Sequence, residues 1–175
     1  MTQIEIKRCQ SGDEFALSLV GQATFLETFA GLLGGTDIIE HCKNQHSVEN
    51  YRQWLSDSRY ALWLAQLNPG AAPVGFLMVS PPNLPLDDTS SDLELKRIYL
   101  LSKFQGGGIG KRLITTAIDH ATDANAKRLL LGVYAGNTNA IGFYQHIGFE
   151  QLGTRKFNVG GMSYDDNILG KRLNT

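Results

Sequence analysis

The stretch Gln105-Gly106-Gly107-Gly108-Ile109-Gly110-Lys111-Arg112 stands between an apolar strand-like run, Leu93 to Leu101, and a helix-like run that continues to about Asn125. A glycine-rich turn at the head of a helix bares backbone N–H groups at the positive end of the helix dipole, which makes a seat for phosphate or another anion. The same glycines also make a flexible loop with no ligand, so spacing has to discriminate. A P-loop requires glycine at 105 and Ser or Thr at 112, where Gln105 and Arg112 stand. A dinucleotide fingerprint read from Gly106 and Gly108 requires a small residue at 111, where Lys111 stands. Both patterns fail, and Gln-x-x-Gly-x-Gly is what remains.

Working outward, Leu113, Ile114, Ala117, Ile118 and Ala121 fall on one face of the helix after the turn. Leu129 to Val133 then reads as an apolar strand. A helix from about Asn139 to His146 follows, closed by Gly148, and Glu150 to Phe157 and Tyr164 to Leu173 read as two final strands around Gly160-Gly161. Before the turn, Tyr60 to Leu67 and Val74 to Val79 form a hairpin around Asn68-Pro69-Gly70, and the proline-rich run Ser80 to Ser91 is a long hairpin connection. Ile4 and Ile6 mark a first strand. Ser11 and Glu14 have capping-box spacing for a helix carrying Phe15, Leu19, Val20, Ala23, Leu26 and Phe29. Two short helices are expected near Asp37 to Lys43 and Ser47 to Leu55, with Thr36 and Ser47 as caps. The order predicts a single α/β (α+β) domain over 1–175. Its central mixed sheet has about seven strands and is mostly antiparallel, with helices on both faces and one strand–helix–strand crossover.

The chain has 175 residues, enough for one core, and its 42% hydrophobic and 19% charged residues are those of a globular protein. A net charge of -1 with no polybasic run argues against nucleic acid or an anionic membrane as the main partner. The two cysteines, Cys9 and Cys42, suit neither a metal site nor a disulfide framework, and the four histidines lack ligand spacing, so no metal is expected. No apolar run reaches membrane-spanning length and the N-terminus lacks a leader pattern, which leaves the cytoplasm as the expected location.

Gln-x-x-Gly-x-Gly resembles the pyrophosphate-binding signature of the GCN5-related N-acetyltransferases. The run Asn137-x-x-Ala140-x-x-Phe143-Tyr144-x-x-x-Gly148-Phe149 resembles the second signature of that family. The two occur in the family's order, separated by a helix and a strand, and the likeness covers Leu93 to Phe149. It implies acetyl-CoA as co-substrate, with its diphosphate on the N–H groups of Gly106, Gly107, Gly108, Ile109, Gly110 and Lys111. Gln105 belongs to the same seat, and Lys111 and Arg112 supply nearby charge. The pantetheine arm is expected to pair with the backbone of Ile98, Tyr99 and Leu100, and Asn137 to contact CoA or cap its own helix. Gly107 and Ser102 depart from the family, which commonly has a basic residue and a proline at those places.

Acetylation of an amine poses two proton problems. An alkylammonium must lose a proton, which costs about 4.6 kcal/mol at pH 7. Glu94, eleven residues before Gln105, matches the position that carries the base in some family members. The leaving thiolate must be stabilised, and Tyr144 matches the family's tyrosine for that task, as a hydrogen-bond donor. The acceptor is expected to be a small primary amine. The Leu93 to Leu100 run and the Phe157 to Asp166 segment resemble bacterial spermidine and spermine acetyltransferases, and Glu27, Asp37, Glu40, Asp92 and Glu94 are the acids a polyamine would need. Amino-acid or peptide amines remain open, as do a monomer or homodimer, and a CoA-binding module without catalysis is the rival.

Overall fold

The structure, a computed structural model, describes residues 3–173. In chain order the elements are β1 (Gln3–Arg8), α1 (Glu14–Phe29), α2 (Gly35–Gln45), α3 (Val48–Ser56), β2 (Ala61–Asn68), β3 (Ala72–Ser80) and β4 (Leu93–Leu100). They continue with α4 (Ile109–Asp123), β5 (Arg128–Tyr134), α5 (Thr138–His146), β6 (Glu150–Val159) and β7 (Met162–Arg172). The seven strands form one sheet in the order β1-β2-β3-β4-β5-β7-β6. Every pairing is antiparallel except β4 with β5, which α4 joins as the crossover. This is the mixed, mostly antiparallel sheet that the order of elements predicted.

Strand alternation divides the core in two. Leu62 and Leu64 of β2 and Phe76 and Met78 of β3 pack with Leu17 and Val20 of α1 and Tyr51 of α3. The intervening residues, Trp63, Leu77, Val79 and Leu95 among them, meet Leu113, Ile114 and Ala117 of α4 and Tyr144 of α5 on the other face. Side chains with no exposure, such as Leu64, Phe76 and Leu113, contribute about 1.5 to 3 kcal/mol each.

The first helix departs from its sequence reading. It starts at Glu14 with Asp13 at the N-cap, and Ser11 does not cap it. Instead the Gln10 N–H donates to Asp13 at 2.8 Å and the Gly12 N–H to Glu14 at 2.7 Å. Phe15, Leu19 and Leu26 face solvent, while Leu17, Val20 and Phe25 are buried. Apolar residues occupy more than one stripe of α1, so periodicity could not choose the inward one; the sheet did. Ser47 caps α3 as expected, accepting from the Asn50 N–H at 3.1 Å, whereas α2 begins at Gly35 and Thr36 is inside it. Among the described residues no helix is long and apolar enough to cross a membrane.

Candidate active site

The sheet comes apart at its centre. β4 and β5 pair only through Leu93 with Leu129 and Glu94 with Leu130. Beyond that, β4 follows β3 to Leu100 and β5 follows β7 to Tyr134, leaving a V between them. At the same place the register of β3 with β4 slips: Met78 lies opposite Arg97 and Val79 opposite Leu95, so Lys96 is the extra residue of a bulge. A bulge bends its strand, and here it turns β4 away from β5. Gly75 lets the outer part of β4 lie close to β3, because a Cβ there would stand 2.7 Å from the Tyr99 carbonyl oxygen.

Polar contacts hold the bulge. Arg97 donates to the Gln45 carbonyl at 3.0 Å and to the Tyr51 hydroxyl at 3.2 Å, and its guanidinium lies over Trp54. The Tyr51 hydroxyl meets His46 Nδ1 at 2.8 Å. Burial, and then the charges of Arg97 and His41, push the His46 pKa down to about 3, so His46 is the neutral acceptor of that bond. The ends of α2 and α3 are thereby tied to β4.

At the mouth of the V stands the glycine turn. The Leu101 N–H donates to the Val74 carbonyl at 2.9 Å, and Gln105 Nε2 donates to the Leu100 carbonyl at 2.9 Å, folding the chain back toward β4. Gly106 and Gly108 have φ of 83° and 80°, where a side chain is strained. A Cβ at Gly106, Gly107, Gly108 or Gly110 would meet nothing within 4 Å, so the turn faces open space. Arg112 makes the first helical bond, to Gly108, and the N–H groups of Ile109, Gly110 and Lys111 have no partner among the described residues. A cavity of about 380 Å³ beside the turn is lined by Ile6, Gly108, Lys111, Arg112, Thr115 and Thr116. Lys111 is exposed, whereas Arg112 reaches across to donate to the Ile4 carbonyl at 3.0 Å. Ser102 also has a use for not being proline: its N–H and hydroxyl donate to Glu27 of α1 at 3.0 and 2.7 Å.

Tyr144 comes from α5 on the other side of the V. Asn137 caps this helix by accepting from the Ala140 N–H at 3.1 Å, and Gly148, with φ of 98°, ends it. The Tyr144 ring sits between Phe143 and Phe149. Its hydroxyl has no partner among the described residues, yet no fully sealed polar side-chain atom there lacks one, so the hydroxyl keeps an open side. Burial, with the Tyr99 phenol adding, pushes its pKa up to about 12.

Glu94 lies where β4 and β5 are still paired, 1% exposed. One carboxylate oxygen accepts from the Asn83 N–H at 2.7 Å and the other is 3.4 Å from Lys96 Nζ. The remaining acids selected from the sequence do not converge. Glu27 holds Ser102, and Asp92 is closed in a fork by Arg128, with contacts of 2.6 to 3.2 Å. Asp37 lies against the backbone at Gly160, and Glu40 is exposed.

The face of the V carries a carboxylate that sequence reasoning missed. Asp166 of β7, 5% exposed, lies opposite Tyr134 of β5 and Arg155 of β6. Arg155 Nε donates to it at 3.3 Å, and the Arg155 guanidinium rests on β5 at Gly132, where a Cβ would be 2.6 Å from Nη2. Burial raises the Asp166 pKa and Arg155 opposes the rise. The available signal was the alternation Tyr164, Asp166, Ile168, which puts a charge in the inward phase of a strand.

A sheet opened between two parallel strands, a glycine turn at its mouth and a tyrosine across it define the class of acyl-CoA-binding transferases. The sequence pattern of the acetyltransferase (GNAT) family matches residues 29–149, and the chain belongs to that family. As a member it is an acetyl-CoA-dependent acetyltransferase. An uncharacterized N-acetyltransferase encoded in the pepI 3' region of Lactobacillus delbrueckii subsp. lactis is 33% identical over 179 residues, covering 99% of both chains. The spermine/spermidine N(1)-acetyltransferase of Bacillus subtilis (strain 168) is 32% identical over 87 residues, 49% of this chain and 57% of that one. The crystal structure of the PaiA N-acetyltransferase from Thermoplasma acidophilum, in complex with coenzyme A, superposes with a TM-score of 0.75 at 21% identity, covering 97% of this chain and 99% of that one.

Proposed function

We propose that the protein transfers an acetyl group from acetyl-CoA directly to a primary amine. The observation that carries this reading is the opening of the sheet just past Glu94, with the free part of β4 along it, the glycine turn and α4 after that strand, and Tyr144 of α5 near enough to Tyr99 of β4 to feel its phenol. The residues present fit the donor. Ile98, Tyr99 and Leu100 offer a strand edge for the amide groups of pantetheine. Gly106 to Lys111 offer N–H groups in open space for the diphosphate, with hydrogen bonds of about 1.5 to 3 kcal/mol each, and Gln105 keeps the turn folded. Lys111 supplies positive charge, while Arg112 is assigned mainly to holding β1. Asn137 caps α5 with its oxygen and has its amide nitrogen left for CoA.

Acetyl-CoA supplies an activated acyl carbon and a thiolate leaving group. Tyr144 is the donor to the sulfur. With its pKa near 12 against about 8.5 for a thiol, full proton transfer is uphill by about 5 kcal/mol. Tyr144 therefore acts by hydrogen bonding to developing charge. Glu94 is assigned as the base, taking the amine's proton through water from the Lys96 side, where its contact is the looser one. Its 2.7 Å bond to the Asn83 N–H favours a second reading, a latch for the 81–91 connection.

The acceptor is a primary amine. The Bacillus subtilis relative suggests a polyamine, but Glu27, Asp92 and Glu94, three of the five acids chosen for one, are hydrogen-bonded within the fold. Thiol release from acetyl-CoA should appear on adding spermidine, L-lysine or an alanine-led tripeptide. CoA binding without release on any of them would leave a binding module instead. Glu94→Gln should lower kcat by about 100-fold if it is the base; unchanged kcat with a lowered Tm would make it the latch.

A further inference from the structure

Asp166 and Arg155 differ from Asp92 and Arg128, another pair whose acid is buried. Arg128 closes a full fork on Asp92, using Nε and Nη2 against both carboxylate oxygens. That geometry is the one expected of a pair made for stability. Arg155 offers Asp166 only Nε, at 3.3 Å, and Asp166 Oδ1 has no partner among the described residues. Because no sealed side-chain oxygen there is without a partner, Oδ1 faces an opening. Asp166 therefore keeps one carboxylate oxygen free to accept at the opening, which a pair closed in a full fork would not leave.

The surroundings say what could fill that capacity. On the same face, Leu84 and Leu86 of the β3–β4 connection cover Leu130 and Ile168. Toward the other end, Phe157, Val159 and Tyr164 of the β6–β7 hairpin pack against Phe25, Phe29 and Ile38 of α1 and α2. Asp166 lies between these apolar patches, with the Tyr134 ring set edge-on to Tyr164 next to it. Across the V, the Asp166 charge is close enough to contribute to the raised pKa of Tyr99, whose phenol in turn acts on Tyr144. Charged groups on this face include Glu94 and Lys96, paired with each other, Arg97, committed to Gln45 and Tyr51, and the Arg155–Asp166 pair, while Asp37 of α2 lies farther out against Gly160 at the hairpin tip. Asp166 is the buried acid of this set with an oxygen that has no partner among the described residues.

We infer that Asp166, aimed by Arg155, is the carboxylate that binds the cationic amine end of the acetyl acceptor, between an aromatic wall and the opening of the sheet. This rests on the proposed amine acetylation. Arg155 is a positioning residue, and Gly132 makes room for it.

The test is steady-state kinetics with spermidine, L-lysine and an alanine-led tripeptide on the full chain. Asp166→Asn should raise the KM for the amine by at least about 10-fold, the loss of one charged hydrogen bond, while the KM for acetyl-CoA stays within about 2-fold. If Asp166→Asn is destabilised by the charge left on Arg155, the double variant Asp166→Asn/Arg155→Met should regain Tm and keep the raised amine KM. Recovery of the wild-type KM in the double variant, or an unchanged KM in the single one, would reduce the pair to a structural role and overturn the inference. No thiol release by the wild type with any amine sinks the acetyl-transfer reading, and the inference with it.

Discussion

The proposed donor and acceptor sides of the V are built from different materials. The donor side is backbone: a strand edge at Ile98 to Leu100, then the bare N–H groups of Ile109 to Lys111. It lies within one short stretch of chain. The acceptor side is side chains: Asp166, Arg155, Tyr134 and Tyr164 come from three strands that meet only in the folded sheet, roofed by α1 and α2. A backbone site needs glycines and a register, which tolerate little change. A side-chain site can be rebuilt strand by strand, so one fold can serve many acceptors.

The largest effect that would break this contrast is at Gly110. It has an ordinary helical φ and space around its Cβ position, so Gly110→Val should leave Tm within about 3 °C. The added side chain would stand where a diphosphate approaches, and the Kd for CoA measured by calorimetry should rise by about 100-fold. Unchanged affinity would remove the turn from the donor site. Next is Tyr144→Phe, which should lower kcat by about 30-fold with the KM for acetyl-CoA and the Tm nearly constant, since the hydroxyl has no protein partner among the described residues. A normal kcat would make Tyr144 a packing residue.

The smallest effect separates the two sides by pH. His46 has a folded pKa near 3 against about 6.5 when unfolded. Below pH 6.5 the unfolded chain binds a proton that the folded chain does not, so stability falls as pH drops from about 6.5 to about 3. Between pH 7 and pH 5 the loss is about 2 kcal/mol. Hydrogen exchange should show α2 and α3, which His46 and Tyr51 join to Arg97, losing protection at pH 5 ahead of α4. Equal loosening of α4 would mean that the two sides do not come apart.

Most of the architecture was legible because the signals are local. Alternation marked the strands, Gly148 and Ser47 marked helix ends, and the interval from Leu93 to Leu129 required a crossover. The error in α1 arose where local signals conflict: Ser11 has the right spacing for a cap but Asp13 and Glu14 take the N–H groups, and because the helix is apolar on more than one side the sequence named no inward stripe. The acids chosen for the acceptor were dispersed because a carboxylate's role depends on what reaches it. Arg128 reached Asp92, Ser102 reached Glu27 and the Asn83 N–H reached Glu94.

The sequence by itself determined the glycine turn and the capped helix of the proposed donor side, since glycine spacing and helix capping are properties of neighbouring residues and are written in order along the chain. Only the tertiary structure decided the proposed acceptor side. The bulge at Lys96 opened the sheet, and the register of β5, β7 and β6 placed Asp166 between Tyr134 and Arg155 with one oxygen still unused. Pairing across strands distant in sequence fixes which buried charges are satisfied, and no local pattern of residues carries that information.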